Sequence, residues 1–293
     1  MDLIQDSMDS SNPAMSSTPP VTCTSEAGDP TPISSETFEE LVHFFKYASS
    51  AYSPVCLRPN GNVLVLQFGN QLSDIQGFIA RDDHRKELIV ALRGSASIMD
   101  ALLDANILLV PFLTPGVKLP SGARVHAGFL SAWNTVALQI TAALAAQRRL
   151  HPAHRLVTVG HSLGGALATL AAVSLLQIFP ASPLLDQTRT YSYGAPRTGN
   201  AVFAQYVNAE FGARAFRVVH TNDGVPTMIP TALGYRHHGI EYWQHVDPPS
   251  PSTTLRCAAS GEDPCCSASI PSGGITPAHA TYLGIIVPTP FCL

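Results

Sequence analysis

The stretch Leu156-Val157-Thr158-Val159-Gly160-His161-Ser162-Leu163-Gly164-Gly165-Ala166-Leu167-Ala168 decides the fold. Its first four residues are apolar or β-branched, which marks a strand buried on both faces, and its last are the Ala and Leu of a packed helix. Between them lies Gly-x-Ser-x-Gly. A bare pentapeptide of this kind could be no more than a glycine-rich helix start with a capping serine. A strand before it and a helix after it select another reading, a sharp turn that holds Ser162 in a strained conformation and leaves no room for side chains two residues to either side. Such a turn delivers the hydroxyl to a helix N-terminus, where free N–H groups and partial positive charge stabilise an oxyanion.

Working outward, strand and helix patterns alternate. A helical spacing of Phe38, Leu41, Val42 and Phe45 follows a Ser-, Thr- and Pro-rich arm over residues 1–35. Too apolar-poor to offset its ordering entropy, the arm is expected to be disordered or loosely docked. Strands are predicted at 63–68, 77–80 and 88–92. The alternation then runs helix 129–147, strand 155–160, helix 163–176, strand 188–193, helix 201–211 and strand 215–220. This order predicts a mostly parallel sheet with helices on both faces, one α/β domain over residues 36–293. Residues 248–277, rich in Ser, Pro, Gly and Cys, read as a long loop.

A serine hydroxyl needs a base, itself oriented by a carboxylate, and for this turn the chain order is Ser, Asp, His. Of the downstream acids Asp186, Glu210, Asp223, Glu241, Asp247, Glu262 and Asp263, only Asp223 directly follows a buried strand, Phe216-Arg217-Val218-Val219. Working groups of parallel sheets gather beyond the carboxyl ends of strands, which selects Asp223 over an ordinary Asx turn. For the base, His220, His237, His238, His245 and His279 stay open on spacing. His279, in a loop ahead of the apolar run 282–287, is preferred.

The 293 residues are 45% hydrophobic and 13% charged, with 17 Lys+Arg against 21 Asp+Glu and a net charge of −4. No basic run is present, so no partner nucleic acid is expected. The apolar run 166–179 is broken by Thr169, Ser174 and Gln177 and is short of a bilayer span, so no transmembrane segment is predicted. No signal peptide is visible, since the first basic residue is Lys46. Six cysteines without a Cys-x-x-Cys pair point to structural disulfides and an oxidising compartment. His151 and His154 flank Pro152, and the His237-His238 pair lacks neighbouring ligands, so no metal or cofactor is expected. His126 and His161 read as structural.

The residues resemble the fungal class 3 lipases, the filamentous-fungal triacylglycerol lipases and related feruloyl esterases. The resemblance is carried by Arg93-Gly94-Ser95, Val125-His126-Ala127-Gly128-Phe129, the serine turn, Tyr193-Gly194-Ala195-Pro196-Arg197-Thr198-Gly199-Asn200, His220-Thr221-Asn222-Asp223-Gly224-Val225-Pro226, Glu241-Tyr242-Trp243 and His279-Ala280-Thr281-Tyr282. It implies an α/β-hydrolase fold and a Ser162–Asp223–His279 triad, with an oxyanion hole from the N–H groups of Ser95 and Leu163. It also implies a short helical lid at 97–104, in which Ile98, Ala101 and Leu102 share an apolar face with Ala105. Ala101 stands where known lipases of this group often carry tryptophan, while Ile98, Met99, Leu102 and Leu103 favour a fatty-acyl ester over an aromatic one. Val110, Phe112, Val225 and Ile229, near the lid and acid loops, are expected to line the acyl site. Family cysteines imply the pairs Cys56–Cys292 and Cys257–Cys266, which leaves Cys23 and Cys265. The expected protein is a secreted, monomeric triacylglycerol lipase acting on lipid esters at an oil–water interface. Its alternatives are an esterase on short or aromatic acyl esters and a phospholipase.

Overall fold

A computed structural model describes residues 29–71, 73–94, 107–179, 188–271 and 274–293. Chain order is β1 (Thr31–Pro32), α1 (Ser35–Ser50), β2 (Val63–Asn70), β3 (Ile75–Asp82), β4 (Glu87–Leu92), β5 (Leu109–Pro111), β6 (Arg124–His126) and α2 (Ala127–Leu150). It continues with β7 (Arg155–His161), α3 (Leu163–Ile178), β8 (Arg189–Tyr193), β9 (Gly199–Asn200), α4 (Ala201–Phe211), β10 (Ala215–His220) and α5 (Val225–Met228). Last come β11 (Tyr235–Arg236), β12 (Glu241–Gln244), β13 (Thr254–Arg256), β14 (Thr281–Tyr282) and β15 (Ile285–Ile286).

The main sheet has nine strands in the order β1-β13-β12-β10-β8-β7-β4-β3-β2. Its centre, from β4 through β7, β8 and β10 to β12, is parallel, and both margins are antiparallel. Every residue of β4 is buried. Leu88, Val90 and Leu92 enter one apolar core and Ile89 and Ala91 the other, as the period of two requires of a sheet covered on both faces.

Helix α1 covers the second face through Leu41, Phe44, Phe45 and Ala48, at i, i+3, i+4 and i+7. The first face carries α2, α3 and α4. Among the described residues α2 is the one helix long and apolar enough to cross a membrane by length and composition. Its Phe129, Leu130, Trp133, Val136, Ala137, Ile140 and Leu144 are nevertheless a buried stripe in the core, and the Trp133 indole N–H donates to Ser174 Oγ of α3 at 2.9 Å.

Three elements add to the sequence reading. Part of the arm is docked: Thr31 and Pro32 pair with β13, and Ser34 Oγ caps α1 by accepting from the Thr37 N–H. Two residues are too few to leave a periodic signal. The loop 248–277 contains β13, which extends the sheet beyond β12. A small second sheet, β11-β9-β6-β5, is built of strands two or three residues long.

Cys56 and Cys292 are bonded, as are Cys257 and Cys266. Cys265 is also disulfide-bonded, while the expected involvement of Cys23 lies outside the described residues. The first bridge closes a separation of 236 residues. Replacing both Cys56 and Cys292 by serine is expected to lower the unfolding free energy by about 2–5 kcal/mol, read from urea denaturation without reductant.

His126 caps α2, its Nδ1 accepting from the N–H groups of Gly128 and Phe129 at 3.1 and 3.3 Å. Burial lowers its pKa to about 4. The unfolded chain, with His near 6.5, therefore binds more protons between those values, and stability falls as the pH drops from 6.5 to 4. This group alone is expected to remove about 3 kcal/mol across that window. His126→Asn, which keeps a capping acceptor, should flatten the pH dependence of the urea midpoint there.

Candidate active site

Ser162 is buried and adopts φ 60°, ψ −131° at the junction of β7 and α3. Its N–H donates to the Tyr193 carbonyl at 2.8 Å. A Cβ on Gly160 would stand 2.1 Å from the Gly164 carbonyl oxygen, and one on Gly164 would stand 2.1 Å from that of Leu92. Both glycines are thus required by close backbone approach. The Ser162 hydroxyl makes no capping bond to α3, which separates this turn from an ordinary capped helix start. Leu163 opens the helix, where the first N–H groups have no intrahelical acceptor.

Asp223 sits three residues beyond β10, on a turn in which Thr221 has φ 37° and the Asp223 N–H returns to the His220 carbonyl at 2.8 Å. Its two carboxylate oxygens have different tasks. Oδ1 accepts from the Val225 N–H at 3.0 Å, an Asx-type bond, while Oδ2 lies 2.8 Å from His279 Nδ1 and accepts the Tyr282 hydroxyl. The Tyr282 hydroxyl is held well above its ordinary pKa, first by burial and then by the Asp223 charge, and so remains a donor.

His279 is buried on a helical turn, Pro277–Ala280, ahead of the β14–β15 hairpin. Its ring lies 4.6 Å from that of His161, the neighbour of Ser162. Both His279 Nε2 and Ser162 Oγ are buried with no hydrogen-bond partner among the described residues. Unsatisfied buried groups are rare and call for a reason. An imidazole whose Nδ1 is fixed on a carboxylate and whose Nε2 is free can take a proton from a hydroxyl beside it, and the hydroxyl can then attack a carbonyl carbon.

The other four candidate histidines put a ring nitrogen on a backbone carbonyl: His220 on Ala278, His237 on Pro226, His238 on Gly239 and His245 on Thr253. Burial lowers the pKa of His238 to about 4 and holds that of His237 well below the ordinary value. Phe112, Val225 and Ile229 are buried members of one apolar cluster, and Val110 packs against it half-buried. Ser95 and the lid residues Ile98, Met99, Ala101 and Leu102 lie outside the described residues.

Two residues at the site carry no assigned part in the sequence reading. Tyr282 is one, and no spacing rule announces its bond to Asp223. Gly194, at φ 58°, is the other: a Cβ there would meet Tyr282 Oη at 2.6 Å, Asp223 Oδ2 at 2.7 Å and His279 Nδ1 at 3.1 Å. Bare backbone lets Asp223, His279 and Tyr282 close against the end of β8.

The fold also adds a third group to the His151 and His154 pair, because the turn after β3 brings Asp83 to within 4.8 Å of both. Asp83 is already held there by Arg81 through Nε at 2.9 Å and Nη2 at 3.1 Å, and by His154 Nε2 at 3.1 Å. Glu241, Cys257 and Cys266 also converge, but their sulfurs form a disulfide. In the third group, His43, Asp82 and Glu87, the Glu87 carboxylate is shared between Arg85 and Arg155.

A nucleophile elbow between parallel strand and helix, with a carboxylate–imidazole pair beyond later strands, defines the α/β-hydrolase class. Residues 89–233 match the family described as lipase (class 3). The chain is 41% identical over 170 residues to a secreted mono- and diacylglycerol lipase of Fusarium solani, a match covering 58% of this chain and 47% of the relative. It therefore spans about half the length of that protein. A secreted alkaline triacylglycerol lipase of Penicillium cyclopium is 30% identical over 258 residues, 87% of each chain. The crystal structure of a lipase from Rhizopus microsporus var. chinensis superposes with a TM-score of 0.80 at 34% identity, covering 94% of this chain and 95% of that one. This chain belongs to the class 3 lipase family.

Gly160→Ala drives a methyl into the backbone of α3. It is expected to lower the unfolding free energy by about 3 kcal/mol or more in urea denaturation, well beyond an ordinary glycine-to-alanine change.

Proposed function

We propose that this protein hydrolyses acylglycerol esters, triacylglycerols first among them, through an acyl-enzyme on Ser162. One observation carries the reading: the Asp223 carboxylate lies 2.8 Å from His279 Nδ1, while Nε2 of that ring and the hydroxyl of a strained serine are left unpaired close by. Ser162 Oγ attacks the ester carbonyl as His279 Nε2 takes its proton. Asp223 holds the Nδ1–H tautomer and offsets the imidazolium charge. The N–H groups of Ser95 and Leu163 receive the tetrahedral oxyanion, and loss of one such donor costs ~10²–10³ in turnover. His279 then protonates the leaving glycerol oxygen, and water, activated by the same ring, releases the fatty acid.

Residues 36–293 act as one catalytic domain. Ile98, Met99, Ala101 and Leu102 form an apolar lid face that meets lipid, and Val110, Phe112, Val225 and Ile229 form the wall on the acyl chain. Phe112, Val225 and Ile229 would do so from within the core, with half-buried Val110 nearest the surface. The enzyme works as a secreted monomer at an oil–water interface. Disulfides and the secreted relatives from Fusarium and Penicillium support the extracellular part of that reading. A second reading, preference for partial glycerides, is favoured by the 41% identity to the Fusarium mono- and diacylglycerol lipase.

The test is the initial rate of tributyrin hydrolysis by pH-stat across its solubility limit, with Ser162→Ala as the blank, followed by triolein, diolein and monoolein at equal ester concentration. A rate that jumps at emulsion formation and is highest on triolein is expected. Saturation below the limit would move a soluble-ester esterase to first place, and activity confined to diolein and monoolein would select the second reading.

A further inference from the structure

The residue between Gly160 and the nucleophile has both of its ring nitrogens engaged. His161 Nε2 lies 2.8 Å from the carbonyl oxygen of His279, and Nδ1 lies 2.8 Å from the hydroxyl oxygen of Tyr52, two residues beyond α1. The Tyr52 oxygen in turn accepts from the Gly94 N–H at the exit of β4. We propose that His161 is a positioning residue for the catalytic base: with Tyr52 it forms a hydrogen-bonded relay that fixes the His279 backbone relative to Ser162. This deepens the reading of Ser162 and His279 as nucleophile and base and rests on it.

The direction of each bond follows from the partners. A carbonyl only accepts, so His161 Nε2 carries the hydrogen. Burial, with the adjacent His279, holds the His161 pKa well below its ordinary value and keeps the ring neutral, so Nδ1 is a lone pair and the Tyr52 hydroxyl must donate to it. The relay runs Gly94 N–H to Tyr52 oxygen, Tyr52 O–H to His161 Nδ1, and His161 Nε2–H to the His279 carbonyl. Neither nitrogen is left for proton transfer, so His161 cannot itself serve as a base.

The relay joins four separate segments: the end of β4, the chain after α1, the serine elbow and the base loop. The adjacent carbonyl, that of Ala278, is bonded at 2.9 Å to Nδ1 of His220 at the end of β10. Consecutive carbonyls of the base loop are therefore gripped by imidazoles from two strands of the sheet. The His279 ring is carried by this backbone, and a shift of 1 Å in a reacting group costs about 100-fold in rate. A residue that only filled the space beside the rings of Phe45 and Tyr282 would not need its nitrogens, and that difference can be measured.

The experiment uses the full chain on soluble p-nitrophenyl butyrate, with kcat and KM determined separately and folding checked by circular dichroism. His161→Phe is expected to lower kcat about 10- to 100-fold with KM within about 2-fold, because substrate binding does not use the relay. His161→Gln, which retains an N–H donor, should recover part of that loss. Tyr52→Phe should lower kcat about 3- to 10-fold alone, and much less on the His161→Phe background, since both act through one carbonyl. In ¹⁵N-imidazole spectra the wild-type ring should show the Nε2–H tautomer with Nδ1 shifted by the hydrogen bond it accepts, and Tyr52→Phe should keep that tautomer while moving the Nδ1 resonance to that of a free lone pair.

Folded His161→Phe with wild-type kcat, or effects of the two substitutions that multiply independently, overturns the proposal. If His161→Phe does not fold, Tyr52→Phe decides: unchanged kcat with an unchanged Nδ1 resonance rejects the relay. Ser162→Ala and His279→Ala are run alongside. Turnover surviving in those two rejects the nucleophile and base themselves, whereas its loss there with normal His161 variants rejects only the relay.

Discussion

The backbone of Ser162 is the constraint on which the arrangement depends. A non-glycine residue at φ 60°, ψ −131° costs of order 1–3 kcal/mol and survives only where its surroundings leave no alternative. Here β7 before it is buried from its second residue onward, α3 after it is buried from Gly164 to Leu175, and its own N–H is taken by Tyr193. Gly160 and Gly164 allow the two elements to close on one another and on β4. The strain is thus held by the core itself. A looser core on either side would let the turn relax and withdraw the hydroxyl.

Register carries this local geometry across the sheet. Leu92 pairs with Gly160, His161 with Tyr193, and Tyr193 with Val218, so β4, β7, β8 and β10 finish along one edge. Gly94, Ser162, Gly194 and Asp223 lie within a few residues of those four ends. The long excursion through residues 248–271 returns the chain to the same edge and delivers His279. His161, His220 and His237 are buried with ring nitrogens spent on carbonyls, whereas His279 Nε2 has no hydrogen-bond partner among the described residues.

Much of this was legible because the decisive signals are local. The elbow is a pattern within six residues, the central strands are continuous apolar runs, and Asp223 follows one of them directly. His279 was not legible on the same terms, since its partner is 56 residues away and four other histidines compete. Its loop ahead of an apolar run made it a slight favourite, and the family likeness settled the choice better than spacing did. Tyr282 and Gly194 act through contacts between distant segments, and the short strands β5, β6, β9 and β11 depend on one another for pairing rather than on any period of their own. His161 shows the same limit: the sequence marks it as a neighbour of the serine, but not what its nitrogens hold.

The Cys56–Cys292 bond makes almost the whole chain a covalent ring. Within that ring a protease cut in a surface loop does not release a fragment. The two pieces stay tethered, and Ser162, Asp223 and His279, all inside the ring, remain parts of one molecule held near their native concentration by the tether. A first nick in such a loop is then a wound that the fold can hold shut.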